Sequence, residues 1–306
     1  MANKKPRPVL SGEKTPALLL VIAGIFVLLG GWLMWRHFIF ADPSNTFWGM
    51  VDASLQTEGV TKYVSQGDDA GYGEQYLQLE LGATNAARSL TTLVETDASG
   101  QGSKVVTETI GTPEANYVQY RQIESTATLP SGESPDFAKV LNIWGKEDLA
   151  SSGLGQGVFS EAILGVVPFG RLTPAQRAEL IQFMKDNQVY SVDYKNATRI
   201  EHEGKAAYQY QVQIKPDAYI AMLKKFDAMM GLNQLSGLDE TRYQLSAPIE
   251  LQMTVAIDAR QLSEVSYIQA GRVETFTGYG ANANIQIPTE YITRQELEQQ
   301  LSKLVQ

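Results

Sequence analysis

Residues 206–214, Ala-Ala-Tyr-Gln-Tyr-Gln-Val-Gln-Ile, carry the cleanest strand pattern in the chain. Tyr208, Tyr210, Val212 and Ile214 alternate with Gln209, Gln211 and Gln213, and a period of two sends the two sets to opposite faces of a pleated strand. One face is apolar and the other carries amides, which describes a strand with a core on one side and water on the other. Residues 249–257 repeat the pattern, with Ile249, Leu251, Met253, Val255 and Ile257 inward and Glu250, Gln252 and Thr254 outward. Between them, Pro216 opens a helix with apolar residues at Tyr219/Ile220, Met222/Leu223, Phe226 and Met229/Met230, closed by Gly231.

Working outward, Glu203-Gly204-Lys205 reads as the turn of a hairpin that enters residue 206 from a strand at 197–203. Residues 189–194, 263–270 and 272–277 add further strands. The first half has the same character. A helix opened by Asp42-Pro43-Ser44 precedes Gly59, and then Leu77, Leu79 and Leu81 share one face. Residues 89–95 and 104–110 flank a turn-rich stretch at 97–102, and 117–123 follows. The middle, 126–170, breaks the pattern with a loop, a short helix expected at 137–144, a glycine-rich loop at 151–157 and the apolar run 158–169. Helix signals return where Thr173 precedes Pro174 and pairs with Gln176 as a capping box, with Asn187 as the stop. A last helix is capped by Thr293 and Glu296 and is expected to bury Leu297, Leu301 and Leu304. The fold class is therefore α+β: a curved antiparallel sheet, a half-barrel wrapped on helices.

Ahead of this domain lie nineteen uncharged residues, 17–35, which as a helix span roughly 28 Å, close to a bilayer core of about 30 Å. The run exceeds the apolar region of a cleaved signal peptide, and a cleavage site at Ile39-Phe40-Ala41 would place a bulky residue where a small one belongs. An uncleaved signal anchor is expected over 17–40, with 1–16 as a basic cytoplasmic tail and 41–306 as an extracytoplasmic domain carrying 126–170 as an inserted segment. Lys4, Lys5, Arg7 and Lys14 before the run, against Arg36 after it, set that orientation; Trp32, Trp35, Phe38 and Phe40 suit an interfacial belt.

Of the 25 Lys/Arg and 34 Asp/Glu, five and one fall in residues 1–41, leaving 20 and 33 in the outer domain. So acidic a surface repels phosphate backbones and speaks against nucleic acid as a partner. The absence of cysteine removes disulfides, zinc-thiolate sites, cysteine nucleophiles and a lipidated cysteine anchor together. The triplet Asn196-Ala197-Thr198 is a chance sequon. His202, between two glutamates, reads as a solvated hairpin tip, and with only His37 besides it no histidine triad or zinc cluster can be assembled. Gly153, Gly155 and Gly157 form a loop rather than a nucleotide cradle, because no strand precedes them and no lysine follows. Asp68-Asp69 and Asp239-Glu240 lack calcium-loop spacing. No nucleophile stands beside a base, so no enzyme, no cofactor and no metal is expected.

The order of elements resembles the LolA-like superfamily, and within it the LppX/LprG-type lipoproteins. The residues that carry the likeness are Gly204–Val212, Val255-Ala256-Ile257-Asp258 with Leu262-Ser263-Glu264-Val265, and Tyr279-Gly280 through Ile285–Pro288; Phe47–Val64 matches in pattern. The resemblance implies a half-barrel whose cleft holds a lipid or a lipoprotein's acyl chains. The chain departs from that family in having no lipidated cysteine, so the transmembrane run would replace it, and in carrying the middle segment 126–170.

The expected cleft walls are the densest apolar stretches outside the strands: Ile163, Val166 and Val167 in one, and Tyr219, Met222, Phe226, Met229 and Met230 in the other. Methionine adapts to ligands of varied shape, although a stripe at helical spacing is also ordinary core. Two functions stay open. One is a membrane-anchored module holding a lipid, acyl chain or other apolar ligand. The other is a non-catalytic envelope scaffold or sensor that acts through protein–protein contacts.

Overall fold

A computed structural model describes residues 41–68, 71–96, 102–126, 128–129, 132–149 and 157–304. Helix α1 (Pro43–Ser54) leads into five long strands, β1 (Gly59–Asp68), β2 (Gly71–Glu80), β3 (Ala86–Thr96), β4 (Gly102–Gly111) and β5 (Ala115–Ser125). A 3-10 turn at Phe137–Val140, strand β6 (Gly145–Asp148) and the short helix α2 (Val158–Ile163) make up the middle. Then follow α3 (Pro174–Asp186), β7 (Tyr190–Val192), β8 (Thr198–His202), β9 (Lys205–Ile214), α4 (Pro216–Met229), β10 (Ile249–Ala256), β11 (Gln261–Tyr267), β12 (Arg272–Thr277), β13 (Ile292–Thr293) and α5 (Arg294–Ser302).

The strands form one large curved antiparallel sheet in the order β13-β6-β5-β4-β3-β2-β1-β12-β11-β10-β9-β7, with β8 also on β9; only β13 on β6 runs parallel. The two meanders expected from the sequence are thus one sheet, joined where β1 meets β12. The hairpin from β8 to β9 turns on Glu203 and Gly204, both with positive φ (51° and 74°), the two-residue geometry whose twist matches the strands. The apolar segment 17–35, the tail 1–16, the turn residues 97–101, Asp69, and Gly153 and Gly155 lie outside the described residues. Among the described residues no helix is long and apolar enough to cross a membrane.

Register assigns the faces. Leu79, Tyr210 and Met253 are 0–1 % exposed, while Glu80, Gln211 and Gln252 point the other way. Thr254 departs from its outward reading and is buried. It sits beside a bulge at Thr254/Val255, where its direct cross-strand neighbours Gln209 and Glu264 roof a short side chain. Ile249, read as inward, is exposed at the strand's end. On the inner face Phe47, Met50, Val51 and Leu55 of α1 are fully buried, and the Phe47 ring meets Tyr190, Tyr194 and Tyr210 edge-on at 5.6–6.0 Å. Such pairs contribute beyond their buried area. The tyrosine hydroxyls are satisfied by backbone carbonyls: Tyr190 donates to Val166 O (2.7 Å), Tyr210 to Pro43 O (2.8 Å) and Tyr208 to Ala41 O (2.9 Å).

Both capping boxes form, at Thr173/Gln176 and at Thr293/Glu296, and Asn187 ends α3. Two expectations change, and the run 158–169 takes a mixed form. Residues 137–144 hold one 3-10 turn instead of a helix, because the chain extends at Leu141 and joins the sheet at Gly145. Of the run 158–169 only Val158–Ile163 is helical; the rest is held by Tyr219 and Tyr190 hydroxyls on Gly165 O and Val166 O and by Phe169 N on Ile163 O. In α5 only Leu297 is buried, and Leu301 and Leu304 are half-buried where the helix runs past the sheet edge.

Candidate functional site

The eight expected cleft walls come together, but as filling. Ile163, Met222 and Phe226 are 0 % exposed, Val167 1 % and Val166 9 %, and Tyr219, Met229 and Met230 pack half-buried against the same core. Phe226 and Met230 press on the backbone of Gly170: a Cβ there would lie 2.7 Å from the Phe226 ring and 3.1 Å from the Met230 sulfur. Helix α4 and segment 163–170 are joined side chain to backbone at this point, and the Tyr219 hydroxyl donates to Gly165 O at 2.8 Å.

The inner face is open further along the strands. Toward the ends at Asp68, Gly71, Thr96, Gly102 and Ser125, its inward positions include Gln66 and Leu93, which are exposed, and Gly73, Val105 and Ile123, which are half-buried. Between this open half and the filled core runs a polar belt. Lys62 pairs in register with Leu77 on one side and Phe276 on the other, both buried, so it projects inward. Lys62 is 5 % exposed, yet it makes no hydrogen bond or ion pair with any described residue. One rung along, Glu274 is 3 % exposed and receives the Arg272 guanidinium at 2.6 and 2.9 Å. Gln75 donates to Ser89 Oγ (3.1 Å) and to Glu161 of α2 (3.2 Å), and Ser89 meets Thr91 at 3.1 Å. Burial raises the Tyr219 and Tyr267 hydroxyls above the ordinary tyrosine range. Tyr267 beside Tyr219, and the Glu274 carboxylate beside both, push the same way.

The belt was missed in the sequence. Lys62 has the parity of Val60 and Val64, and Glu274 that of Phe276, so strand parity alone could have placed both inward.

On the outer face, segment 279–290 crosses β2–β5, with Ile285 N on the Glu80 carboxylate (3.0 Å). It covers Glu108, which is 3 % exposed and takes Arg88 (2.6 Å), Arg121 (2.6 Å) and Gln119 (2.8 Å). Burial pushes the Glu108 carboxyl up, but the two guanidiniums outweigh it and hold it below the usual carboxylate range. Beside them lies a hollow of about 660 Å³ lined by Arg88, Glu108, Trp144, Ile285, Ile287 and Pro288 among others. With Gln119 and Asn142 completing the set, this is a satisfied network within β3–β5 and the chain at Asn142.

The remaining sequence candidates take structural places. His202 is half-buried at the end of β8 with its Nε2 shielded and unbonded, while the solvated tip is Glu203-Gly204. Asp239 caps residues 240–243, and Glu240 pairs with Lys224 at 2.7 Å. Among the described residues no group of three or more histidine or acidic side chains could hold a metal ion.

Asp227 of α4 is 1 % exposed; one oxygen accepts from Leu235 N at 2.9 Å and the other has no partner. Burial raises its pKa above the usual aspartate value, against the pull of the Leu235 and Gln234 amides. A folded-state pKa above the unfolded one means stability present in full below about pH 4 and lost as pH rises through the folded value. Asp227→Asn keeps the acceptor and removes the charge. Its melting temperature relative to wild type should climb between pH 4 and pH 7; a difference that stays flat would refute the assignment.

The class defined by this geometry is an α+β protein built on one curved antiparallel sheet, with helices seated on part of its inner face. No known protein family matches the chain, and no curated protein matches it by sequence. Among solved structures it is similar to LprF from Mycobacterium bovis, at 13% identity and a TM-score of 0.32 over 81% of this chain and 96% of that one. It is also similar to a β-barrel-like protein of a domain of unknown function, DUF1849, from Brucella abortus, at 7% identity and a TM-score of 0.26 over 75% and 99%. Likeness at these scores decides nothing about function.

Proposed function

We propose that the chain is a non-catalytic binding module tethered to a cell membrane by residues 17–40. Its N-terminus would be cytoplasmic, and its domain extracytoplasmic, holding a lipid, a lipoprotein acyl chain or another apolar ligand. The observation that carries this reading is the far end of the inner face, where, among the described residues, Leu93 is exposed and Val105 and Ile123 are only half-buried on the curved sheet. Concave, largely apolar surfaces with a few placed polar groups are the usual form of a ligand site. This site lies beyond the expected walls, on β3–β5.

The absence of cysteine makes the test clean. Val105→Cys carrying an environment-sensitive fluorophore, in the full chain held in nanodiscs, should shift to the blue when a long-chain fatty acid is added. The same label at Leu90→Cys, on the outer face, should not respond. Equal responses at both positions, or none, would reject the reading.

The scaffold alternative keeps one observation of its own. Tyr63, Tyr72 and Tyr76 stand 37–44 % exposed together on the outer face of β1 and β2, as a protein-contact surface would.

A further inference from the structure

We propose that the outer face of β1 and β2 seats an arginine side chain of a partner protein over Glu74, among Tyr63, Tyr72 and Tyr76; this goes beyond lipid binding and does not rest on it. Register brings the four residues together. Tyr63 stands directly across from Tyr76, and Glu74 lies between Tyr72 and Tyr76 with the same outward parity. At four residues' separation those two tyrosines rise about 13 Å apart, which leaves a gap with the carboxylate at its centre. The Tyr63 hydroxyl donates to Glu74 Oε1 at 2.5 Å, and this draws a third ring to the same place.

Glu74 is half-buried and makes no ion pair with any described residue. Its direct neighbours across the strands, Ser65 and Thr92, carry no charge. The nearest cations on this face stand on β3 and β4 and are already matched: Arg88 is held by Glu108 at 2.6 Å, and Lys104 lies across from Glu124. Glu264, reached from Tyr63 across Thr275, adds a second carboxylate without an ion pair. Hydrogen bonds from Tyr63, and after it Tyr72, hold the Glu74 carboxyl below its usual range, while the Tyr63 hydroxyl is pushed up to about 12. At neutral pH the first is therefore charged and the second keeps its proton.

A negative centre ringed by phenols, with no cation of its own, calls for a cation with a flat face. Aromatic rings attract a cation over their faces, and a guanidinium can stack there while its N–H groups reach a carboxylate; a compact ammonium cannot do both as well. Leu90, exposed in the same rung as Tyr63 and Tyr76, offers apolar surface to the stem of the side chain. A second copy of this chain does not fit, because a two-fold contact through this face sets Glu74 against Glu74.

The test uses the full chain in a non-ionic detergent and labelled glycine–serine peptides that carry arginine, lysine or citrulline at the same positions, citrulline being the neutral isostere of arginine. Fluorescence anisotropy at physiological salt should show the arginine peptide binding at least about fivefold tighter than the lysine peptide, and no saturation with citrulline. Glu74→Gln and Tyr76→Ala should each weaken the arginine peptide by on the order of tenfold. Glu201→Gln removes the same charge from an exposed place on β8 and should change binding by less than about twofold. Tyr76 makes no hydrogen bond with a described residue, so Tyr76→Ala should melt like the wild type even if Glu74→Gln, by losing the Tyr63 contact, does not.

A fall in Glu201→Gln as large as in Glu74→Gln would reduce the effect to net charge and overturn the site. Lysine binding as tightly as arginine, or saturable binding of citrulline, would overturn the assignment of a guanidinium. Undiminished binding by Tyr76→Ala, or no binding of the arginine peptide at all, would overturn the proposal outright. None of these outcomes bears on the fatty-acid response of the Val105→Cys label, which tests lipid binding separately.

Discussion

Met253→Asp is expected to lower the stability of the domain by on the order of 4 kcal/mol, a large share of the ~5–15 kcal/mol that holds a native protein folded. Met253 is 0 % exposed and faces inward between Tyr210 and Val265, its register partners on β9 and β11. A carboxylate there has no cation to meet and no water to reach, so the protein must either bury a charge or bind a proton. Gln252→Asp, one residue away on the opposite face, should change stability by no more than about 0.5 kcal/mol. Urea titrations of the pair measure the difference directly. Similar midpoints for the two variants would mean that the register of β10 is not the one described.

Phe226→Ala should cost about 3–5 kcal/mol, the range for emptying a buried aromatic site. Its ring is fully buried against Gly170 and Met230, and deletion would leave a hole between α4 and segment 163–170. Met222→Trp tests the same place from the other direction. In a filled core the larger ring should cost about 1–3 kcal/mol, whereas in an open cleft it would be absorbed. If both variants melt like the wild type, the helix–sheet interface is a cavity after all, and the original cleft walls are restored.

What could be read in the sequence was local. The alternation at 206–214 and 249–257 fixed which side chains share a face, since one-residue slips would expose every apolar residue of a strand. The two capping boxes announced the starts of α3 and α5 because a threonine and a Glu/Gln three residues on satisfy each other's backbone amides. Strands made by distant partners were not legible. Four-residue β6 exists only because β5 offers it hydrogen bonds, and two-residue β13 only because β6 does. The candidate site was ambiguous for a related reason. Density of apolar residues marked α4 and 158–169, but the same density fits a filled core, and only the path of the backbone decides whether space remains. Lys62 and Glu274 were hidden by the assumption that a charge in a strand faces water.

The two margins of the sheet have a consequence for behaviour at high protein concentration. A path of twelve strands could present two long rows of unpaired amides and carbonyls, the template on which sheets of neighbouring molecules polymerise. Here one margin ends in β13, two residues long, and the other is divided between β7, three residues, and β8, five, which share the flank of β9. Stubs of this length offer too short a ladder for edge-to-edge addition to propagate. At its two ends the path therefore offers little ladder for a second molecule to extend, and what edge remains lies on β5 beyond the four residues that β6 pairs.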